Sequence, residues 1–242
     1  MLTCPNCLSG KIIKYGKTHD DQQRYCCKDC ARQFVEHNDH WIDEDKRRYI
    51  TRLLRERISL RGICRALEVS MTWLMDFAAR VWDQTPEDLG VAMDLLDNLS
   101  EEELQSIELQ VDEMWSFVGC KKRKQWVWVI YCPAIKQALA FHVGGRGKED
   151  AQRLFDKLPH RLCSNCQFAT DYWEAYYQTV PDEQHRPSKA LTYFIEGWFT
   201  GVRARVSRLV RRSVAFSKKL ENHIAAIGYF FWQRNLAAHH YF

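Results

Sequence analysis

Two tight cysteine pairs, Cys4-x2-Cys7 and Cys27-x2-Cys30, stand 19 residues apart. Each such turn presents two sulfurs to one ion, so the two together supply the four thiolates of a tetrahedral structural zinc site. Cys26 precedes Cys27, but a Cys26-x3-Cys30 spacing suits the tight knuckle less well. Three carboxylates further along also occupy chemically unusual places: Asp112 falls inside an apolar run beside Val111 and Trp115, Asp171 follows CQFAT, and Glu196 follows ALTYFI. Clustered carboxylates repel unless cations neutralise them, and hard oxygen donors suit magnesium or manganese. Two such ions roughly 4 Å apart activate a nucleophilic oxygen and stabilise the leaving oxygen of a phosphodiester. Taken singly, each carboxylate has a plainer reading. A strand Asp pairs with Arg, a post-strand Asp caps a turn, and a Glu in a first helical turn complements the helix dipole.

The elements that must position these groups follow from periodicity. Residues 1–40 are rich in Cys, Lys and Gly and lack a helical apolar period, so a metal rather than a core must hold them. From Asp43 the spacing of Tyr49, Ile50, Leu53 and Leu54, then Leu60, Ile63 and Leu67, then Trp73, Leu74, Phe77 and Val81 predicts three helices broken near Ser59 and Ser70. SLRGICRALEVSMTWLMDFA has a helix-turn-helix rhythm, with Ser70 capping the second helix. Thr72 and Met75 would then face a major groove, with Arg61, Arg65 and Arg80 at phosphates; the plainer alternative is a three-helix packing module with a solvated basic face. Residues 83–106 read as an acidic helical linker with Ser100 as an N-cap. The runs IELQVDEMWSFVG, QWVWVIYC and ALAFHVGG predict an antiparallel meander, followed by a helix over 148–158, a strand at CQFATD, a fifth strand at ALTYF, and basic helices from Glu196. That β-β-β-α-β-α-β-α order is that of a ribonuclease-H-like domain, in which the first and fourth strands are neighbours and bring Asp112 to Asp171. The fold class expected is therefore multidomain α+β: zinc finger (1–40), helix-turn-helix (43–82), acidic linker (83–106) and a ribonuclease-H-like α/β catalytic domain with a mixed sheet (107–242).

With 242 residues and 46% hydrophobic side chains, the chain can bury at least one sizeable core. The net charge of +4 conceals an asymmetry. Residues 1–80 carry 15 basic and 11 acidic side chains; the following block to 120, leaving out Asp112 and Glu113, carries none and 9; the remainder, with those two, carries 20 and 11. Between Arg203 and Lys219 seven cations run without an acid, which points to DNA phosphates more than to a solvated face. No run approaches a membrane span and MLTCPNC is not a secretory leader, so a cytoplasmic location is expected, with thiols reduced. Cys163-x2-Cys166 lacks a partner pair and reads as structural. Most aromatics read as packing; Trp173 and Trp198, adjacent to the carboxylates, could stack on an extruded base.

DEMWSFVG, TDYWEAY and KALTYFIE, followed by RARVSRLVRR and FSKKLENH, resemble transposases of the bacterial insertion-sequence-one family, as do CPNC, RYCCKDCARQF and the helix-turn-helix. The resemblance spans nearly the whole chain. It implies a DDE transposase with Asp112 in D-E-x-W, Asp171 in T-D-x-W-x-x-Y, and Glu196 in K-x-x-T-x-x-I-E, where Lys189, Thr192 and Ile195 also match. It aligns Cys27 with the finger's third cysteine and matches Arg203, Arg205, Arg208, Lys218 and His223. It implies one structural zinc, two catalytic magnesium or manganese ions, and double-stranded DNA as partner, both terminal inverted repeats and target. Arg61, Arg65, Thr72, Lys189, Arg203, Arg205, Arg208, Arg211, Arg212 and Lys218 become the candidate DNA contacts. Synapsis of two DNA ends implies a homodimer or larger assembly. The chain departs from the family at Gly197–Gly201, where two glycines and two aromatics predict a frayed or bent helix start. Two alternatives stay open: a catalytically inactive regulator that binds terminal repeats, and a ribonuclease-H-like nuclease without strand transfer.

Overall fold

A computed structural model describes residues 2–36, 42–210 and 215–239. The chain divides into two compact units, Met1–Tyr49 and Ile50–Phe242. In the first, strands β1 (Ile12–Lys17), β2 (Gln23–Cys27) and β3 (Gln33–Val35) form an antiparallel sheet in the order β1-β2-β3. Helix α1 (Glu44–Leu53) passes from this unit into the second.

The second unit continues with α2 (Leu60–Leu67) and α3 (Met71–Trp82). Both start where the serines predicted: Ser59 Oγ accepts from Gly62 N, and Ser70 Oγ accepts from Trp73 N. The joining turn is short because Glu68 takes a left-handed conformation (φ 53°) that stops α2, leaving Val69 to bury itself before Ser70. The acidic stretch holds α4 (Asp94–Asp97) and α5 (Glu101–Gln105), the latter opened by a capping box in which Ser100 and Glu103 bond each other's backbone N–H. It is not a free linker. Leu96 and Leu104 are buried in the core, and Arg161 Nη1 donates to the carbonyls of Leu96 and Asp97.

A mixed five-stranded sheet follows, built from β4 (Glu108–Phe117), β5 (Lys124–Cys132), β6 (Gln137–Gly144), β7 (Gln167–Thr170) and β8 (His185–Pro187), in the order β6-β5-β4-β7-β8. The β4-β5-β6 meander is antiparallel as expected, whereas β4-β7 and β7-β8 are parallel. Helices α6 (Lys148–Phe155), α7 (His160–Asn165) and α8 (Glu174–Tyr177) connect the strands, and α9 (Tyr193–Arg205) and α10 (Leu220–His239) end the chain. One face of the sheet packs Leu109, Val111 and Trp128 against Leu154, Leu162 and Tyr176. The opposite face packs Met114, Val127 and Val129 against α9 and α10 through Ile195, Trp198, Phe199 and Phe231.

Two expectations are corrected here. The fifth strand is His185–Pro187, paired to β7, and ALTYF instead runs into α9, whose buried Ile195, Trp198, Phe199 and Val202 recur at helical spacing. The start of α9 is not frayed: the helix is continuous through Gly197, Trp198 and Phe199 lie in the core, and Gly201 leaves room for the Arg234 guanidinium, which a Cβ would meet at 2.9 Å. Arg234 in turn stacks on Trp198, its Cζ 5.2 Å from the ring centroid. Trp198 is therefore not available to a base.

His223 of α10 is wholly buried between two hydroxyls, with Nε2 3.1 Å from Ser116 Oγ and Nδ1 3.2 Å from Ser217 Oγ. Burial, helped by the nearby Arg208 charge, lowers its pKa to about 4. A histidine that is neutral in the fold but protonates more readily when unfolded stabilises fully above about 6.5 and loses that contribution as pH falls towards 4. The His223 contribution is expected to lose about 3 kcal/mol across that window, read as the change in the urea-unfolding difference between the parent and His223→Gln, because Asp112 pulls the parent's own slope the other way. His223→Gln should remove that share of the slope, and an unchanged slope would show that other groups set it.

Candidate active site and metal cluster

The N-terminal cluster is built by two tight turns. Cys4 accepts the Leu8 N–H on its carbonyl, and Cys27 accepts the Ala31 N–H in the same way. Sγ of Cys4 lies 3.5 Å from Sγ of Cys30, and that of Cys7 lies 3.5 Å from that of Cys27. Among the described residues these four form the one group of three or more possible ligands whose ligand atoms all lie within 4.8 Å of one another. A tetrahedral zinc with Zn–S near 2.3 Å requires sulfurs about 3.8 Å apart, so the cluster fits the ion. The Arg32 backbone N–H lowers Cys30 to about 6. A backbone bond at Ser9 lowers Cys7, but desolvation and the other three thiols outweigh it and raise Cys7 to about 12. Cys26 turns away, its Sγ 3.7 Å from the Cys27 carbonyl.

Three segments deliver the carboxylates. Gln110 of β4 pairs with Ala169 of β7 in parallel register. Asp112 and Asp171 each lie two residues beyond that pair, so the two-residue period of a strand carries both to the same side of adjacent chains. On that side Gln110 Oε1 accepts the Ile195 N–H of α9 at 2.8 Å, fastening the first turn of the helix beside β4 and bringing Glu196 with it. Thr192 Oγ1 lies 3.2 Å from Glu196 Oε1. Burial foremost, with the charges of Glu113, Asp171 and Glu196, raises Asp112 to about 7 against a bond from the Glu113 N–H. The three carboxylates thus share one field without forming a second tight ligand group among the described residues. Hard oxygen donors whose charges together raise Asp112 suit divalent magnesium or manganese.

On the opposite face of β4, Glu113 is buried and held by three atoms of two partners. Arg146 Nε donates to Glu113 Oε1 at 2.7 Å, with Nη2 2.6 Å from the same oxygen, and Tyr176 Oη donates to Oε2 at 2.5 Å. The guanidinium lies between two indoles, its Cζ 4.3 Å from the Trp126 centroid and 3.8 Å from that of Trp173. Burial raises Glu113 in spite of the Tyr176 and Arg146 bonds. Trp173, half-buried, carries Arg146 on its ring. Neither Arg146 nor Gln110 was singled out in the sequence; the apolar flanks of Gln110, buried on its strand, were the available signal.

The candidate DNA contacts scatter over the surface with one exception. Arg61, Arg65 and Thr72 are exposed on α2 and the first turn of α3; Lys189 and Lys218 are exposed in loops; Arg203 is half-buried on α9. Arg205 pairs with Glu56 at 2.6 Å. Arg208 turns inward instead: it donates to Ser217 Oγ and the Asn222 carbonyl and lies over Trp82, and burial lowers it to about 10. Arg211 and Arg212 lie outside the described residues. No helix among the described residues is long and apolar enough to cross a membrane.

Residues 106–241 match the family model of the IS1 transposase. The chain is 34% identical over 122 residues to the insertion element iso-IS1n protein InsB of Shigella dysenteriae, covering 50% of this chain and 91% of that protein. It is 32% identical over 122 residues to the insertion element IS1 protein InsB of Shigella sonnei, again 50% and 91%, and to the insertion element IS1 4 protein InsB of Escherichia coli (strain K12), 50% and 71%. The matched region contains Asp112, Asp171 and Glu196 together with the whole five-stranded sheet, and by that match the chain belongs to the IS1 transposase family.

Proposed function

We propose that this chain binds the terminal inverted repeats of an insertion sequence and catalyses metal-dependent strand cleavage, followed by transfer of the freed 3′ hydroxyl into target DNA. Residues 107–242 serve as a ribonuclease-H-like DDE catalytic domain, 43–82 as a helix-turn-helix, 1–40 as a zinc finger, and 83–106 as the segment between. The observation that carries this reading is the placement of Asp112 and Asp171, each two residues past the Gln110–Ala169 pair of adjacent parallel strands, with Glu196 fastened alongside through Gln110. Asp112, Asp171 and Glu196 would hold two magnesium or manganese ions. When bound, such ions activate the attacking oxygen and stabilise the leaving oxygen of a phosphodiester. The chain's own residues fix the geometry: Gln110 anchors the helix that carries Glu196, and Thr192 lies beside its carboxylate. Arg61, Arg65 and Thr72 are suited to the repeat, and Lys189, Arg203, Arg205 and Lys218, with Arg211 and Arg212, to phosphates near the cut. Arg208 is left out of that set because it is engaged inside the fold. Bringing two DNA ends together calls for a homodimer or larger assembly, acting on nucleoid DNA in the cytoplasm.

The test is end processing. The full chain, incubated with linear DNA bearing the element's terminal repeats, a target plasmid and magnesium or manganese, is expected to nick the repeat and join its 3′ end to the plasmid. Binding without cleavage in either metal would leave a regulator in place of the enzyme. Cleavage without joined product would leave a nuclease.

A further inference from the structure

Glu113, Arg146, Trp173 and Tyr176 form a polar cluster, Glu113 and Tyr176 buried and Arg146 and Trp173 half-buried, to which the proposed reaction gives no direct role. Its connections are what make it notable. Glu113 follows Asp112 on β4, and Trp173 lies two residues past Asp171, its backbone N–H donating to Asp171 Oδ1 at 2.9 Å. Arg146, from the loop after β6, reaches both. Its guanidinium bonds the Glu113 carboxylate, stacks on the Trp173 ring, and its carbonyl accepts the Trp173 indole N–H at 3.2 Å. Tyr176 closes the loop by donating to Glu113 from α8, the helix that begins just after Trp173. A chain of contacts therefore runs from Asp112 through Glu113, Arg146 and Trp173 to Asp171, independent of the β4–β7 pairing, whose last paired residues are Gln110 and Ala169.

We propose that Arg146, locked between Trp126 and Trp173 and bonded to Glu113, is a positioning residue that sets the separation of Asp112 and Asp171 for divalent metal. The inference rests on the reading of those two carboxylates as metal ligands. Beyond Gln110 and Ala169 the two strands part, so the ladder no longer fixes the spacing, and the clamp supplies the missing constraint from the back of the sheet. Arginine suits the task because its planar guanidinium bonds a carboxylate and stacks between rings at once, which an ammonium cannot do. An ion pair of this kind, with Glu113 buried and Arg146 a third exposed, adds little net stability over apolar residues of similar volume, so stability alone does not account for it.

The test measures manganese binding to the full, zinc-loaded chain without DNA by electron paramagnetic resonance of free Mn2+, alongside cleavage and DNA affinity. Groups that orient metal ligands typically cost 10–100-fold in metal affinity or activity when changed. Arg146→Lys is therefore expected to weaken manganese binding about tenfold or more and lower cleavage, with cleavage recovering as manganese is raised and the Kd for DNA held within about twofold. A triple variant, Glu113→Leu with Arg146→Met and Tyr176→Phe, removes every member of the buried polar contact together and is expected to melt no lower than the parent while still binding manganese 10–100-fold more weakly. Parental manganese affinity in Arg146→Lys would overturn the proposal, and so would a loss confined to DNA affinity, which would make Arg146 a phosphate contact. If the triple variant does not fold, Arg146→Lys decides alone. Asp112→Asn is the control: if it binds manganese like the parent, the metal-ligand reading itself has failed, which is a different outcome from parental binding by Arg146→Lys alone.

Discussion

Asp112→Asn is expected to lower metal-dependent cleavage by about 10^3-fold or more and, with no divalent metal added, to make the chain harder to unfold. The loss of rate follows from the role of the carboxylate: metal stabilisation of the reacting phosphate is worth several kcal/mol, and each 1.4 kcal/mol or so is a factor of ten. The gain in stability follows from the environment. Burial and the neighbouring charges of Glu113, Asp171 and Glu196 raise Asp112 to about 7. A carboxylate whose pKa is higher folded than unfolded disfavours the fold once it ionises, so stability falls as pH rises from about 4 through 7 and stays low above. One pKa unit corresponds to about 1.4 kcal/mol, and because solvent still reaches part of the side chain we expect Asn to recover about 2 kcal/mol at pH 8. Urea titrations of parent and variant at pH 5 and pH 8 measure this directly. The variants should separate most at pH 8, less at pH 5, and converge towards pH 4; a variant less stable than the parent at pH 8 would contradict the repulsion argument.

Removing zinc is expected to unfold residues 2–36 while the body stays folded. The N-terminal sheet buries little besides Cys4, Cys27 and Phe34, far too little apolar surface to fold 35 residues unaided. Comparable small zinc sites derive about 10–16 kcal/mol from the metal, well above what this segment could gain by any other contact. Chelation, or Cys4→Ser, should therefore collapse the amide dispersion of the first unit and open it to limited proteolysis, leaving a resistant fragment containing the five-stranded sheet. Persistence of the dispersed amides after measured zinc loss would mean that the thiols are not what holds it.

Legibility in the sequence tracked how local the determining interaction is. Ser59, Ser70 and Ser100 announced their helices because a cap is a contact with the next three residues. The β4-β5-β6 meander was legible from runs of apolar and aromatic residues. The fifth strand was misplaced because Tyr193 and Phe194 look like strand residues although both are exposed at the start of α9, while β8 is three residues long, ends in Pro187 and carries no strand-like pattern. The spacing of Ile195, Trp198, Phe199 and Val202 held the correct answer. At the site, the proximity of Asp112 and Asp171 could be anticipated from strand order. The Arg146–Glu113 contact could not, since 33 residues separate the partners and Arg146 sits in the loop GGRGK, where an arginine looks solvated. The inward turn of Arg208 was hidden for the same reason: charge patterning reads a basic run as surface, and only the packing of Trp82, Ser217 and Asn222 around one member removes it.

Asn235 of α10 has a consequence for how the protein is made. Its side-chain amide donates to the Leu89 and Ala138 carbonyls and accepts the Ala138 N–H, and Gln137 donates to its backbone carbonyl. Strand β6 is an edge of the sheet, so one side chain near the end of the chain takes up backbone groups of a strand made about a hundred residues earlier. While the chain is still emerging from the ribosome that edge is open, and an open edge is a template for pairing with another copy. Chains that stop short of residue 235 are therefore the form of this protein most exposed to aggregation, and α10 closes that hazard only once it has been made.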